Sequence, residues 1–207
     1  MPRFADLSVS DFLNALSSPS PTPGGGTAAA LAGALGASLL LMVAGLEKTK
    51  TGSDEERTLL ADAKQALTPI RARLLELADA DAESFDQVMA AYRLPKTTDD
   101  EKAARAAVVQ RALWRATEVP LDTLRACTDA IEYGPVVARC GNPSAASDVG
   151  VGVRLLEAAA GGAEANVRVN LKSIRDEALK GDAERNAARF LERTLASTAS
   201  ARALLAG

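Results

Sequence analysis

Apolar residues recur at intervals of three and four along most of the chain, and no segment alternates convincingly at a period of two. That spacing predicts helices throughout. Residues 8–17 read as a short first helix carrying Phe12, Leu13 and Leu16. Residues 17–26 are rich in Ser, Pro and Gly, which cannot continue it. A second helix begins near Thr27 and runs towards Lys48. Ser53 with Glu56, and Thr98 with Glu101, have the Ser/Thr-x-x-Glu spacing of a capping box and open two further helices. Pro69 and Pro120 either kink these helices or restart them at a first turn. The first pair yields helix to about Tyr92, and the second to about Arg139. Gly141 ends that run, and Asn142-Pro143 caps the next helix. Gly161-Gly162 is expected to stop it. A further helix spans roughly 163–180, and Gly181-Asp182 separates it from a last helix reaching Leu205.

Residues 27–46 hold twenty positions without a charge, the length of a membrane span. Their first half is mostly Ala and Gly, and no second such stretch exists, so a buried core helix is expected. The 207 residues are 47% hydrophobic and 25% charged, which suits one soluble all-α bundle covering residues 1–207. The first sixteen residues lack the clean apolar run of a signal peptide. Together these features predict a cytoplasmic protein with no membrane partner. The net charge is −3 and aromatics make up 3%, which argues against nucleic acid as a partner. Cys127 and Cys140 are expected as reduced thiols, although one disulfide is compatible with their number. Histidine is absent, which excludes Ser-His-Asp and Cys-His mechanisms within one chain. Catalysis has to run on carboxylates, lysine, tyrosine, cysteine, amides or backbone, and no metal site is assigned.

Five features carry candidate chemistry. Gly24-Gly25-Gly26-Thr27 lies directly before a helix, where backbone N–H groups and the helix dipole favour an anion; a flexible capped turn would look the same. Asp81 interrupts the stripe Ile70, Leu74, Leu77, Asp81, Phe85, Val88, Tyr92. It should therefore point inward, either as a buried acid/base with a raised pKa or as a structural carboxylate held by an Arg or a helix end. Asp148 is the sole charge between Arg139 and Arg154, in a small-residue segment opened by Asn142. It is either a second functional carboxylate or part of a well-capped buried helix start. Asn166 and Asn170, at i and i+4, can read a polar heterocycle or join helices. Lys48 and Lys50 follow the charge-free helix, where a lysine also complements the helix dipole.

Four blocks in order resemble the cyclodeaminase/cyclohydrolase family. They are 12–46 with Pro23-Gly24-Gly25-Gly26-Thr27, then Asp81-Ala82-Glu83-Ser84-Phe85 with Leu94-Pro95-Lys96, then Gly141-Asn142 to Asp148-Val149-Gly150-Val151, then Asn166-Val167-Arg168-Val169-Asn170. The resemblance implies an all-helical homodimer with a folate cleft near helix ends and subunit contacts. It implies 5,10-methenyltetrahydrofolate hydrolysis to 10-formyltetrahydrofolate, with formimidoyltetrahydrofolate cyclodeamination as the alternative activity. A non-catalytic helical homodimer acting as a binding or scaffold protein is the alternative of another class. Many members carry Gly-Lys-Lys after the Met-Val helix; here the segment is Leu46-Glu47-Lys48-Thr49-Lys50-Thr51-Gly52. On this reading Asp81 is the acid/base, Asp148 the second carboxylate, and Lys48 a proton donor or a ligand for the substrate's glutamate. Gly24, Gly25, Gly26 and Thr27 are expected to receive that glutamate. Asn142, Asn166 and Asn170 read the pterin, and no cofactor beyond the folate substrate is implied.

Overall fold

A computed structural model describes residues 3–206. Among them the regular elements are all helical: α1 (Val9–Leu16), α2 (Gly25–Ala44), α3 (Asp54–Tyr92), α4 (Asp99–Ile131), α5 (Gly134–Cys140), α6 (Ala146–Leu171) and α7 (Glu177–Ala206), with short 3-10 turns at Phe4–Asp6 and Pro143–Ala145. The starts follow the caps. Ser8 accepts from the N–H of Asp11, and Ser53 from that of Glu56. Thr98 and Glu101 satisfy each other's backbone donors in a full capping box.

Pro69 and Pro120 both lie inside continuous helices, so neither restarts the chain. The helix containing Pro120 does not reach Arg139; it stops at Ile131, and Gly134 opens the separate short α5. Two predicted breaks are wrong. Gly161 and Gly162 lie within α6, and Gly181 lies within α7. Gly162 sits where α6 approaches α2, since a Cβ there would meet that of Ala29 at 3.4 Å. The real break is 172–176. Gln110 holds it from α4, donating to the carbonyl of Ser173 and accepting from the N–H of Arg175. Asp176 then starts α7 by accepting from the N–H groups of Ala178 and Leu179. A side chain at the new start outcompetes a glycine five residues later as the boundary signal.

The charge-free helix α2 lies at the centre, packed mainly on α3 and α6. Ala30, Ala37, Leu40 and Val43 are fully buried, and 56% of the helix's apolar window is covered by the bundle. α2 and α6 run antiparallel. Gly25 lies near Asn166, Gly36 faces Gly152 and Leu156, and Val43 reaches Gly141. The crossing is backbone against backbone: a Cβ on Gly36 would stand 2.7 Å from the carbonyl oxygen of Gly152. Leu67, Leu74, Leu77, Leu124, Val153 and Leu156 fill the rest of the core. Val88, Ala91, Val109 and Ala112 form a smaller cluster where α3 and α4 pair. Cys127 and Cys140 are buried and unpaired, and burial pushes the Cys127 thiol up to about 12.

Candidate active site

The N-terminus of α2, the middle of α3 and the C-terminal half of α6 converge on a cleft of about 300 Å³. Its floor is the glycine loop. The Thr22–Pro23 peptide is cis, and Gly24 is the N-cap of α2 but offers no capping side chain. The first N–H groups of α2 have no acceptor within the helix and need one from elsewhere. Asp81 supplies it. Fully buried Thr27 donates from Oγ1 to Asp81 Oδ2 at 2.9 Å, and its backbone N–H also favours the carboxylate. A methyl group on Gly26 would overlap the Asp81 carboxyl, so glycine there is what admits it.

Asp81 is half-buried and makes no ion pair among the described residues. Burial raises its pKa, and the Thr27 hydrogen bonds only partly offset that. The stripe of α3 is less regular than its spacing predicts. Leu74, Leu77 and Val88 are buried, but Phe85 and Tyr92 are exposed. Beyond Asp81 the inward face shifts onto Ala82, Ser84, Val88 and Ala91, of which Val88 and Ala91 pack on Val109 and Ala112 of α4.

Asn166 and Asn170 line the opposite wall. Asn166 donates through Nδ2 to the carbonyl of Gly162 at 2.8 Å, and Asn170 to that of Ala116 at 2.7 Å. Both amides are thereby anchored, and neither Oδ1 has a partner within the described chain. Ser84, Phe85, Val88, Leu113 and Ala116 complete the lining. The sequence reading missed Leu113 and Ala116, since nothing in the α4 pattern distinguishes a helix face that lines a cleft from one that fills a core.

The remaining candidates are not in this cleft. Asp148 and Asn166 are eighteen residues apart on α6, roughly 27 Å at 1.5 Å per residue. Lys48 lies past the far end of α2, a similar distance from Gly26. Asn142 caps the turn at Pro143, accepting from the N–H of Ser144 at 2.9 Å. Lys50 donates its N–H to the carbonyl of Cys140, which joins the lysine loop to the start of this segment. Glu56 fixes the same loop through Thr49 and Thr51, bonds that hold its carboxyl down at about 2. Lys48, Asn142 and Asp148 thus share the opposite end of the α2–α6 pair. Within the Gly24–Gly26 loop expected to receive the substrate's glutamate, Gly26 lies against the Asp81 carboxyl. Asp81 takes the Thr27 donors at the α2 N-terminus and leaves the N–H groups of Gly25 and Gly26 open.

What the cleft offers is one carboxyl of raised pKa, open backbone N–H groups beside it, and two amide oxygens about a helix turn apart across from it. That set can move a proton at one end of a bound heterocycle and hold the other end by hydrogen bonds. Residues 8–189 match the formiminotransferase-cyclodeaminase family model. A methenyltetrahydrofolate cyclohydrolase from Methylorubrum extorquens is 45% identical over 82% of each chain. The formimidoyltransferase-cyclodeaminase of Gallus gallus is 34% identical over 94% of this chain but only 36% of its own length. The crystal structure of a formiminotetrahydrofolate cyclodeaminase from Thermotoga maritima superposes with a TM-score of 0.87, at 28% identity and 98% coverage of both chains.

Proposed function

The chain belongs to the formiminotransferase-cyclodeaminase family, and from that membership we propose that it is a cytoplasmic methenyltetrahydrofolate cyclohydrolase, opening 5,10-methenyltetrahydrofolate to 10-formyltetrahydrofolate. The observation that carries this choice is the 45% identity with a cyclohydrolase along most of both chains. The all-α fold, shared over its whole length with a cyclodeaminase, supplies the scaffold for either folate reaction.

The reaction maps onto the cleft as follows. The bridge carbon of the substrate carries the positive charge of an amidinium, and water adds to it. Asp81, ionised, takes the proton that the water loses. The adduct then collapses: its hydroxyl becomes the formyl carbonyl and releases a proton to solvent, while the bond from the bridge carbon to N5 breaks. Asp81 returns its proton to N5, so the net products are 10-formyltetrahydrofolate and one proton. A raised pKa suits a group that must both accept and return a proton. The open N–H groups of Gly25 and Gly26 face the oxygen as it becomes a carbonyl. The Oδ1 atoms of Asn166 and Asn170 accept from N–H groups along the pyrimidine edge of the pterin. Water, a carboxyl and hydrogen-bond donors suffice for this step, and no cofactor beyond the folate is invoked.

The working unit in this reading is a homodimer. One face of α2 remains apolar and open, with Leu35 at 61% exposure, Met42 and Leu46 beside it, and Val151 of α6 adjoining. No charge interrupts this face of α2, and a two-fold axis needs a surface that complements itself. Leu35 stands at the midpoint of α2, so antiparallel pairing about it lays the Lys48 end of one chain beside the Gly24 end of the other. That arrangement puts the Lys48 ammonium of one chain at the cleft of the other, where it can pair with the substrate's glutamate.

The absorbance band of the methenyl cation tests the activity, because ring opening removes the conjugation. The purified protein should accelerate its loss well beyond the buffer rate. Ammonia release from 5-formimidoyltetrahydrofolate without methenyl hydrolysis would assign the cyclodeaminase activity instead.

A further inference from the structure

Seven aromatic residues occur in the chain: four Phe, two Tyr and one Trp. Six have a structural partner. Phe4 and Phe12 pair edge to face at 6.2 Å. Arg105 lies over Tyr92, and Arg189 and Arg193 lie over buried Phe190. Trp114 and Tyr133 pack against the main core. Phe85 has none of these. It belongs to neither core cluster, forms no aromatic pair, and keeps 36% of its surface exposed.

Its position is the second observation. Phe85 lies one helical turn after Asp81 on α3, on the same side, and lines the same cleft. With Val88, Leu113 and Ala116 it makes an apolar wall, while the glycine loop and the two asparagines make a polar one. An uncommitted phenyl ring beside the only carboxyl of the cleft suits a flat, positively charged ring better than a neutral one. The aromatic face carries negative quadrupole density, and a desolvated cation gains from lying over it.

Resting on the cyclohydrolase reading, we propose that Phe85 is a specificity-determining residue: its ring stacks on the cationic bridge of the methenyl substrate and favours it over the ring-opened, neutral product. The cation then lies against a π-face with the Asp81 carboxyl beside it on the same wall. Charge is lost on hydrolysis, so the same contact weakens as product forms and aids its release.

The experiment compares Phe85→Leu and Phe85→Tyr with the wild type. Leu keeps apolar bulk without a π-face, and Tyr keeps the face. Two quantities are read: KM and kcat for 5,10-methenyltetrahydrofolate, and the inhibition constant of neutral 5-formyltetrahydrofolate. Circular dichroism confirms that each variant is folded, as expected for an exposed side chain outside both clusters. Phe85→Leu should raise KM for the cation about tenfold, the scale of one desolvated cation–π contact, with kcat within a few-fold. Inhibition by the neutral compound should change less than threefold, and Phe85→Tyr should behave as wild type. Equal weakening of cation and neutral compound would reduce Phe85 to plain apolar contact and overturn the proposal. Unchanged KM in Phe85→Leu would overturn it too. A wild-type protein without methenyl hydrolysis would instead strike the functional reading itself.

Discussion

Asp81 combines two duties whose consequences can be separated. It accepts from Thr27 at the α2 N-terminus, which is structural, and it titrates in a half-buried cleft, which is chemical. Asp81→Asn retains an acceptor for the Thr27 hydroxyl but removes the titration. Turnover should fall by on the order of 10² or more, the usual scale for a positioned acid/base. Stability carries the opposite sign. Burial holds the folded pKa above the ordinary value of 3.8, so the folded state disfavours the charged form. Relative to acid, Asp81 therefore subtracts stability as the pH rises from 3.8 through its folded pKa. Denaturant unfolding at pH 4 and pH 8 should show this loss in wild type and not in Asp81→Asn. A variant that is destabilised at neutral pH but fully active would make Asp81 a helix cap alone. The inward position of Asp81 was legible from the spacing of its stripe. The partner was not, because Thr27 lies fifty-four positions away and only the packing of α2 on α3 joins them.

At the scale of elements, the glycines of α2 and α6 differ in ways their sequence context hides. Gly161 has nothing within 4 Å of where a Cβ would stand, and it lies within a continuous helix. Gly161→Ala should stabilise the protein by about 0.5–1 kcal/mol through helix propensity and a less free unfolded chain. Gly36 is the contrast. Its added methyl would meet the Gly152 carbonyl at 2.7 Å and Leu156 at 2.8 Å, so Gly36→Ala should cost about 1–3 kcal/mol as the helices part. Urea midpoints of the two variants moving in the same direction would contradict this account. Helix starts were readable because Ser8, Ser53 and Thr98 act within three residues of themselves. The stop expected at Gly161-Gly162 was not, because a glycine that ends a helix and one that admits a neighbouring backbone are identical in sequence.

At the scale of the whole molecule, the open apolar face of α2 makes association the expected state. Wild type should sediment at twice the chain mass of 21.4 kDa, and Leu35→Glu should sediment as the single chain, since a charge at the two-fold centre meets its own copy. The shared-cleft arrangement has a sharper test. Asp81→Asn and Lys48→Met should each be weakly active alone. Mixed under exchange, half the dimers carry one intact cleft, so about a quarter of wild-type activity should return. No recovery in exchanged heterodimers, with both singles weakly active, would end the shared-cleft arrangement.

The sequence by itself determined what depends on short range. Apolar spacing and the absence of alternation made every element helical, the caps placed most starts, and the lack of histidine confined the chemistry to carboxylates, lysine, tyrosine, cysteine, amides and backbone. The order of the four blocks that resemble the cyclodeaminase/cyclohydrolase family was sufficient to point at a folate enzyme. Tertiary structure decided which blocks meet. Gly24–Thr27, Asp81, Asn166 and Asn170 converge because α2 and α6 run antiparallel with α3 alongside. The same antiparallel packing sends Lys48, Asn142 and Asp148 to the other end. Helix length fixes that separation, since each residue adds about 1.5 Å along a rigid axis, and direction of packing is written in no local pattern.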